Sequence, residues 1–501
     1  MSANEETAAP ATSTDEPSLL ERWSDRVNPI LIRELHQSLG GRVFLGTLSL
    51  ACFAIVALAL IFMWAAPQSG SGGRDLLAGC AACLAALSLI LVPMQAYSST
   101  RAEVSGGTAE QLLMTRLRPR RIVLGKLGAG LLQFGMFLAV FAPLIGITYL
   151  LRGVDVPTIL VLLVFAVLAS VTAVAFATAM ATVASSRPMQ NLIQALTITT
   201  LVVCGMFGIA GAYELVRELS QVVRIREFWP FFASIVISFV AGIVLCGMIA
   251  SASLAHGYEN RSSGFRAFAF VIVALIAPWC LLFMQVGGID EAPGFVSASF
   301  AGMLAPFWLW ASCEDPPLSP RVRAFVPRNA LLAWVAAPFL PGGQRGFVFA
   351  VMLALLGVAV GLGTPLLAGQ VADRNARDVC IIAWSYTVFY AAIARLLRLR
   401  GRRGRARSVL NFVVTLAIAV IVPLLIVIVE LLVDGNVRWH WGHLTNPIYT
   451  IDQMYRWRDL PIGLAIGAGV VALLVGIPSA LAGFDEVRRA SKERRARASG
   501  V

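Results

Sequence analysis

Long apolar runs recur along the chain and are separated by short polar segments. About twelve of them are long enough to cross the hydrocarbon core of a bilayer. They begin near Val43, Leu76, Leu127, Thr158, Asn191, Pro230, Ala267, Gly294, Gly346, Asp378, Val409 and Leu460. The pattern predicts an all-α polytopic membrane protein with about 12 transmembrane helices. The apolar run 329–340 is too short to span, so we expect an interfacial or re-entrant segment there.

The polar ends divide the chain further. Residues 1–18 are small, polar and acidic, which predicts a disordered cytoplasmic tail. Residues 19–42 carry apolar side chains every three or four positions, which predicts an amphipathic interface helix that Pro29 bends or divides. Two membrane regions of six runs each follow, at 43–255 and 256–484, and residues 485–501 are predicted to be a basic cytoplasmic tail.

Composition and charge fit a membrane location. The chain is 58% hydrophobic and only 14% charged, with a formal net charge of +12. Lys and Arg are about three times as frequent in one set of alternate loops as in the other, which predicts that both ends are cytoplasmic and that the location is the cytoplasmic (inner) membrane. The basic run 395–407 lies between two spans, where contact with anionic headgroups is favoured over nucleic-acid binding.

Residues able to perform chemistry are few. No GxxxxGK[ST] loop, catalytic triad or paired-carboxylate site is present, so we predict that the chain is not an enzyme and has no catalytic residues. Cys80 and Cys83 form a CxxC pair in an apolar run, where packing is favoured over metal or redox chemistry. His440 and His443 have no evident third ligand, so no metal site is predicted. Glu430 is the candidate intramembrane carboxylate and keeps an ion-coupled carrier open as an alternative.

The segment between the second and third runs is the most informative. Gly106 and Gly107 break the chain there, Thr108 can cap a helix, and a short leucine-containing helix follows until Pro119 ends it. A short helix held at the membrane surface between two spans can transmit movement from a cytoplasmic partner. The alternative is a basic loop that only fixes topology.

The motifs in this part of the chain resemble those of the permease subunits of type-2 ABC exporters. In that family an NP-x-x-x-R-E string precedes the first span, and an E-x-x-x-GT-x-E-x-L-L-x-T-x-L segment ending in I-x-x-GK joins the second and third. The matching residues of this chain are Asn28, Pro29, Arg33, Glu34, Glu103, Gly107, Thr108, Glu110, Leu112, Leu113, Thr115, Leu117, Ile122, Gly125 and Lys126. The match covers about the first 130 residues, and TRLRP replaces the usual TPLS.

The resemblance implies that region 43–255 is a six-span permease domain with a coupling loop at 99–126. A helix around Thr108 to Leu117 would then seat in a groove of a separate cytoplasmic ABC ATPase subunit, with Glu103 and Glu110 as the first polar contacts to test. ATP and Mg would be bound by that subunit, and this chain would bind no cofactor. Asn28, Pro29, Arg33 and Glu34 would belong to the interface helix.

Region 256–484 departs from the family pattern, because a usual half-transporter ends after six spans. It is either a fused second permease half or an accessory membrane domain, and residues 313–345, where a second coupling loop would fall, lack the GT-x-E and GK strings. A homodimer or a pairing with another permease chain is also open. The expected function is the membrane-spanning part of an ATP-driven exporter. The alternatives are an ion-coupled secondary transporter and a non-transporting membrane scaffold.

Overall fold

A computed structural model describes most of the chain, and the described residues are helical and contain no strand. The predicted tail 1–18 and the first part of the predicted interface helix, with Asn28, lie outside them. The described residues are 29–65, 72–108, 111, 114, 119–151, 154–183, 187–226, 228–255, 259–287, 292–314, 318–398, 405–434, 443, 445–447, 449–451 and 460–498. The prediction of an all-α polytopic membrane protein is confirmed.

The helices fall into two units, which we call the first unit (29–255) and the second unit (259–498). The first unit contains α1 (Pro29–Leu39), α2 (Arg42–Ala65), α3 (Gly72–Ser105), α4 (Pro119–Leu150), α5 (Val156–Val183), α6 (Arg187–Val222) and α7 (Phe228–Leu254). The second unit contains α8 (Ser263–Gly287), α9 (Ala292–Met303), α10 (Ala305–Cys313), α11 (Pro320–Arg323), α12 (Ala330–Ala336), α13 (Gly343–Leu367), α14 (Arg374–Arg398), α15 (Arg405–Asp434) and α16 (Leu460–Ala498).

Ten helices of the described residues are long and apolar enough to cross a bilayer, or eleven if one bent pair is a single span. That pair is α9 and α10, bent by 47° where we predicted the eighth span. The eleventh predicted span lies in α15, whose apolar part within the described residues, Ser408–Ala419, is shorter than a span. All twelve predicted runs therefore lie in helices, and the count of ten or eleven refers to the described residues alone.

The helices near the two ends of the described chain add detail to the sequence prediction. Pro29 is the first residue of α1, a position at which a proline loses no hydrogen bond, and the part of the predicted interface helix before it lies outside the described residues. The predicted tail from Asp485 continues α16 as far as Ala498. Its Val487 and Ala490 are buried, because they pack on the segment between α10 and α13.

The two units pack their spans in the same order. In each unit the first span contacts the second and third, and the second span contacts the third, fourth and fifth. The third span also contacts the fourth and sixth, and the fourth contacts the fifth and sixth. Here α9 and α10 together count as the second span of the second unit. The units meet where α7 packs against α8.

The second span of each unit is irregular near its middle. In α3 a π-helical turn, Leu87–Leu91, interrupts the α-helix just before Pro93. In the second unit the break falls at Leu304, between α9 and α10, just before Pro306. Proline removes a backbone donor and disturbs the turn that precedes it, so both second spans depart from a straight helix at corresponding places.

Candidate functional site

A cluster of four charged side chains connects α1, α3 and α4 at one end of the first unit. We call Arg33, Glu34, Glu103 and Lys126 the first charged cluster. The Lys126 ammonium lies 2.7 Å from Glu34 Oε1 and 2.8 Å from Glu103 Oε2. The second oxygen of Glu103, Oε1, accepts a 2.7 Å hydrogen bond from the Arg33 guanidinium. Residues from two motifs that are about 70 positions apart in sequence therefore meet at one place.

Burial makes these pairs interdependent. The Lys126 side chain is only 4% exposed and that of Glu34 only 8%, whereas Arg33 is 34% exposed. A buried ammonium is costly unless carboxylates neutralise it, and here two carboxylates do so. Two cations and two anions balance each other, so the cluster holds α1 against the junction of α3 and α4. The contact continues towards the interior through a hydrogen bond from Gln133 of α4 to Gln95 of α3.

The segment 106–118, which we call the first connection, leaves the cluster through a tight turn. Gly107 has a φ of 75°, which a glycine adopts without steric cost. The Thr108 hydroxyl donates back to the Glu103 carbonyl oxygen at 3.3 Å, which ties the turn to the end of α3. The Gln111 amide donates to the Gly107 carbonyl oxygen, a helical hydrogen bond. Met114 is 86% exposed.

The structure brings together only some of the predicted site residues. Pro29, Arg33, Glu34, Glu103, Gly107 and Thr108 lie on or next to the first charged cluster. Predicted coupling residues Glu110, Leu112, Leu113, Thr115 and Leu117 lie outside the described residues. Glu103 has both carboxylate oxygens engaged within the chain. Its contact with a partner stays a prediction.

A second charged cluster occupies the corresponding place in the second unit. The Arg266 guanidinium, at the start of α8, lies 2.6 Å from Glu314 Oε2, which follows α10. Glu314 also accepts hydrogen bonds from the Ser262 hydroxyl at 2.7 Å and the Gly342 amide at 3.1 Å. Arg266 is fully buried, and its Nη1 and Nη2 also donate to the backbone carbonyl oxygens of Pro338, Leu340, Gly342 and Ala311.

Arg345 and Glu486 extend the second charged cluster to the last helix. Arg345, at the start of α13, pairs with Glu486 of α16 at 2.6 Å. Glu486 also accepts the Leu318 amide at 2.9 Å. We call residues 314–342 the second connection, and these bonds fix its two ends to α16. We define the second charged cluster as Arg266, Glu314, Arg345 and Glu486.

Sequence reasoning missed the second charged cluster. None of its members lies in a GT-x-E or GK string, and four of the five hydrogen bonds that Arg266 donates go to backbone carbonyl oxygens. The available signal was the position of charged residues at the ends of the seventh, eighth and ninth apolar runs. Arg395, which we expected to flank its span, is instead buried in α14 and donates to the Ser479 hydroxyl at 2.9 Å.

The candidate intramembrane carboxylate has a specific neighbour. Glu430 of α15 lies with both carboxylate oxygens 3.0 Å from His443 Nε2. The His443 side chain is fully buried and its ring lies 4.2 Å from that of Tyr449. His440, the other histidine of the predicted pair, lies outside the described residues, as do Trp439 and Trp441.

An apolar cavity of about 130 Å³ lies within the first unit. Side chains of α3, α4, α5 and α6 line it, among them Leu84, Ile145 and Leu162. Its lining contains Ser88 but no ionisable residue, so it fits an aliphatic chain and gives no ion a place to bind.

No protein-family model, no curated protein and no solved structure matches the chain. The function has to be argued from the helical multi-pass membrane fold, the two charged clusters and the Glu430–His443 pair.

Proposed function

We propose that this chain is a permease subunit of an ATP-binding cassette exporter in the cytoplasmic membrane, driven by a separate cytoplasmic ATPase subunit. The observation that carries the proposal is the first charged cluster. The motifs that resemble those of type-2 exporter permeases contribute its charged residues: Arg33 and Glu34 from the RE string, Glu103 before GT, and Lys126 from GK. These side chains meet in one set of ion pairs. The ion pairs explain the spacing of these motifs, because each motif places a charged residue where the ends of α1, α3 and α4 meet.

The first charged cluster is suited to transmit force. The first connection begins three residues after Glu103, and Glu103 is bonded to both Arg33 of α1 and Lys126 of α4. Because these bonds are shielded from water, displacing the connection moves the ends of α3, α4 and α1 together. Closure of an ATPase pair on the first connection would then shift the population between inward-open and outward-open arrangements of the spans.

Co-purification tests this function. The full chain, with an affinity tag, is isolated from its native membranes in mild detergent, and the eluate is assayed for ATP hydrolysis and for a protein with a GxxxxGK[ST] loop. We expect the wild-type chain to bring down such an ATPase. Met114→Glu, at a side chain that is 86% exposed, should abolish co-purification without affecting folding.

A matched control lies on the opposite side of the membrane. Arg226 is exposed in the turn between α6 and α7, so Arg226→Glu should leave co-purification intact. Equal loss in both variants, or full transport activity in cells that lack every such ATPase, would contradict the proposal.

The Glu430–His443 pair supports a second candidate function, a carrier coupled to proton movement. A carboxylate in contact with an imidazole can take up and release a proton, and buried ionisable groups in spans often mark proton paths. In proteoliposomes with an imposed pH gradient, Glu430→Gln should then slow the decay of the gradient measured with a pH-sensitive dye. Under the exporter proposal Glu430→Gln leaves ATPase binding unchanged, so the two functions separate.

A further inference from the structure

We infer that the second connection is a second docking element for the same ATPase subunit, so that one chain binds two copies, one on each unit. The inference rests on the proposed function. Under this inference the second unit is a second permease half and not an accessory domain.

The first line of support is the shared packing of the two units. The same pairs of spans are in contact in both, and the second span of each is irregular near its middle, with a π-helical turn in α3 and a 47° bend between α9 and α10. An unrelated accessory domain would not be expected to repeat the set of span contacts of its neighbour. A second copy of the same architecture repeats that set. In the first unit the proposed docking connection directly follows the second span. The second connection follows the second span of the second unit and is therefore its counterpart.

The charged clusters are equivalent in position. In each, a glutamate that ends the second span pairs with an arginine of the helix before it or of the first span: Glu103 with Arg33 of α1, and Glu314 with Arg266 at the start of α8. In each unit a second cation also lies near the start of the third span, where Lys126 pairs with Glu103 and Arg345 pairs with Glu486 of α16. An even number of crossings separates the two connections, so they lie on the same side of the bilayer.

The second connection projects away from the membrane. Arg494 donates to the Val326 carbonyl oxygen, and the Ser491 hydroxyl donates to that of Pro327 at 3.0 Å. Arg494 is ten residues beyond Phe484, the last apolar residue before Asp485, which at the α-helical rise is about 15 Å along α16. Phe325, 77% exposed, therefore stands at the tip of a segment in the aqueous phase.

An aromatic side chain that is exposed beyond the reach of lipid offers a protein partner an apolar anchor. The α12 helix is different: its exposed Leu331, Leu332 and Val335 lie nearer the apolar end of α16, where the neighbouring Trp334 stacks on Phe484. These residues are placed to meet the membrane interface, as we expected for the run 329–340. Only the part of the second connection before Asn329 is thus available for docking.

The chemistry of the two connections matches. The first reads Arg116-Leu117-Arg118 followed by Pro119-Arg120, and the second reads Arg321-Val322-Arg323 followed by Pro327-Arg328. In sequence, each connection has arginines close to an apolar side chain that is exposed in the structure, Met114 in the first and Phe325 in the second. A single kind of partner surface, an apolar pocket with an acidic rim, is complementary to both.

Site-specific photocrosslinking tests the inference on the full chain in native membranes. The photoreactive analogue p-benzoylphenylalanine is placed singly at Met114, at Phe325 or, as a control on the opposite side, at Arg226. We expect crosslinks from Met114 and Phe325 to the same ATPase chain, identified by mass spectrometry, and none from Arg226.

The outcomes separate the two proposals. A crosslink from Met114 alone would overturn the second docking element while leaving the exporter function standing. A crosslink from Phe325 to lipid, or to a protein without a GxxxxGK[ST] loop, would overturn it as well. A crosslink from neither position would remove the proposed function itself.

Stoichiometry supplies an independent readout. Native mass spectrometry of the purified complex should give two ATPase subunits per chain. Met114→Glu and Phe325→Glu should each reduce the number to one, and the double variant to none. A wild-type complex with one ATPase per chain would overturn the inference.

Discussion

The two charged clusters hold corresponding places but are built from different atoms. In the first, side chains pair with side chains, and Lys126 has two carboxylates within 2.8 Å. In the second, Arg266 pairs with one carboxylate and also donates to backbone carbonyl oxygens of the connection itself. Among the described residues, the first cluster bonds the helices on either side of its connection to each other, whereas the second also bonds to the backbone of its connection at several points.

The bracing by α16 makes the difference larger. Glu486 accepts both the Arg345 guanidinium and the Leu318 amide, and Leu318, Val322 and Val326 pack on the same helix. The first connection has no counterpart of this brace among the described residues. In the first unit, ion pairs between side chains join the helices around the connection. In the second unit, hydrogen bonds to backbone atoms also hold the connection itself.

Removing the centre of the second charged cluster should have the largest effect. Arg266→Met leaves Glu314 buried without its counter-charge and leaves several carbonyl oxygens without a donor. Breaking a buried pair in this way costs about 3–5 kcal/mol, and we expect the upper end because the site is fully buried. Thermal unfolding in detergent measures the loss of stability. A smaller loss for Arg266→Met than for Lys126→Met would contradict the stronger bonding that we infer for the second charged cluster.

Lys126→Met should destabilise the first unit by about 3 kcal/mol, the lower end of the same range, because Arg33 remains to neutralise Glu103. The double variant Lys126→Met with Glu34→Gln should recover part of that stability, since no unpaired charge is left at Glu34. The measurement is a double-mutant cycle of thermal unfolding. Strictly additive effects would show that the two side chains do not interact.

Adding a methyl group to a glycine in the first half of the third span should affect the stability of the two units differently. A Cβ on Gly346 would lie 1.7 Å from the Ala311 carbonyl oxygen, so the backbone has to shift; we expect a loss of about 2 kcal/mol for Gly346→Ala. A Cβ on Gly128 would meet the end of the Leu31 side chain at 3.1 Å, which can rotate away. Gly128→Ala should therefore be nearly neutral in the same assay.

Gly107→Ala should have a small effect, a loss of about 1 kcal/mol of stability, because alanine resists a φ of 75° while no neighbour lies within 4 Å of the new Cβ. Gly107→Asn should lose less, since asparagine tolerates the left-handed region better. Thermal unfolding measures this loss, and ATPase co-purification reports whether the turn matters for docking. A loss as large as that of Lys126→Met would point to contacts beyond backbone strain.

The sequence by itself determined the fold class, the positions of the spans and the resemblance of the first unit. Apolar runs of sufficient length must become helices in a bilayer, because every backbone polar group has to be bonded within the chain. It also marked the members of the first charged cluster, since they fall in recognisable strings. It did not show that the eighth run bends by 47° or that the residues from Asp485 onwards continue α16, because local hydropathy does not register a bend or a tertiary partner.

Only the tertiary structure decided which charged residues meet. The second charged cluster depends on backbone carbonyls of Pro338 and Leu340, which have no signature in the sequence, and on Glu486, more than a hundred positions from its partner. The equivalence of the two units was likewise visible only in the order in which the spans pack. Hydropathy constrains each helix separately, whereas charge pairing and packing depend on distances between helices that the chain sets when it folds.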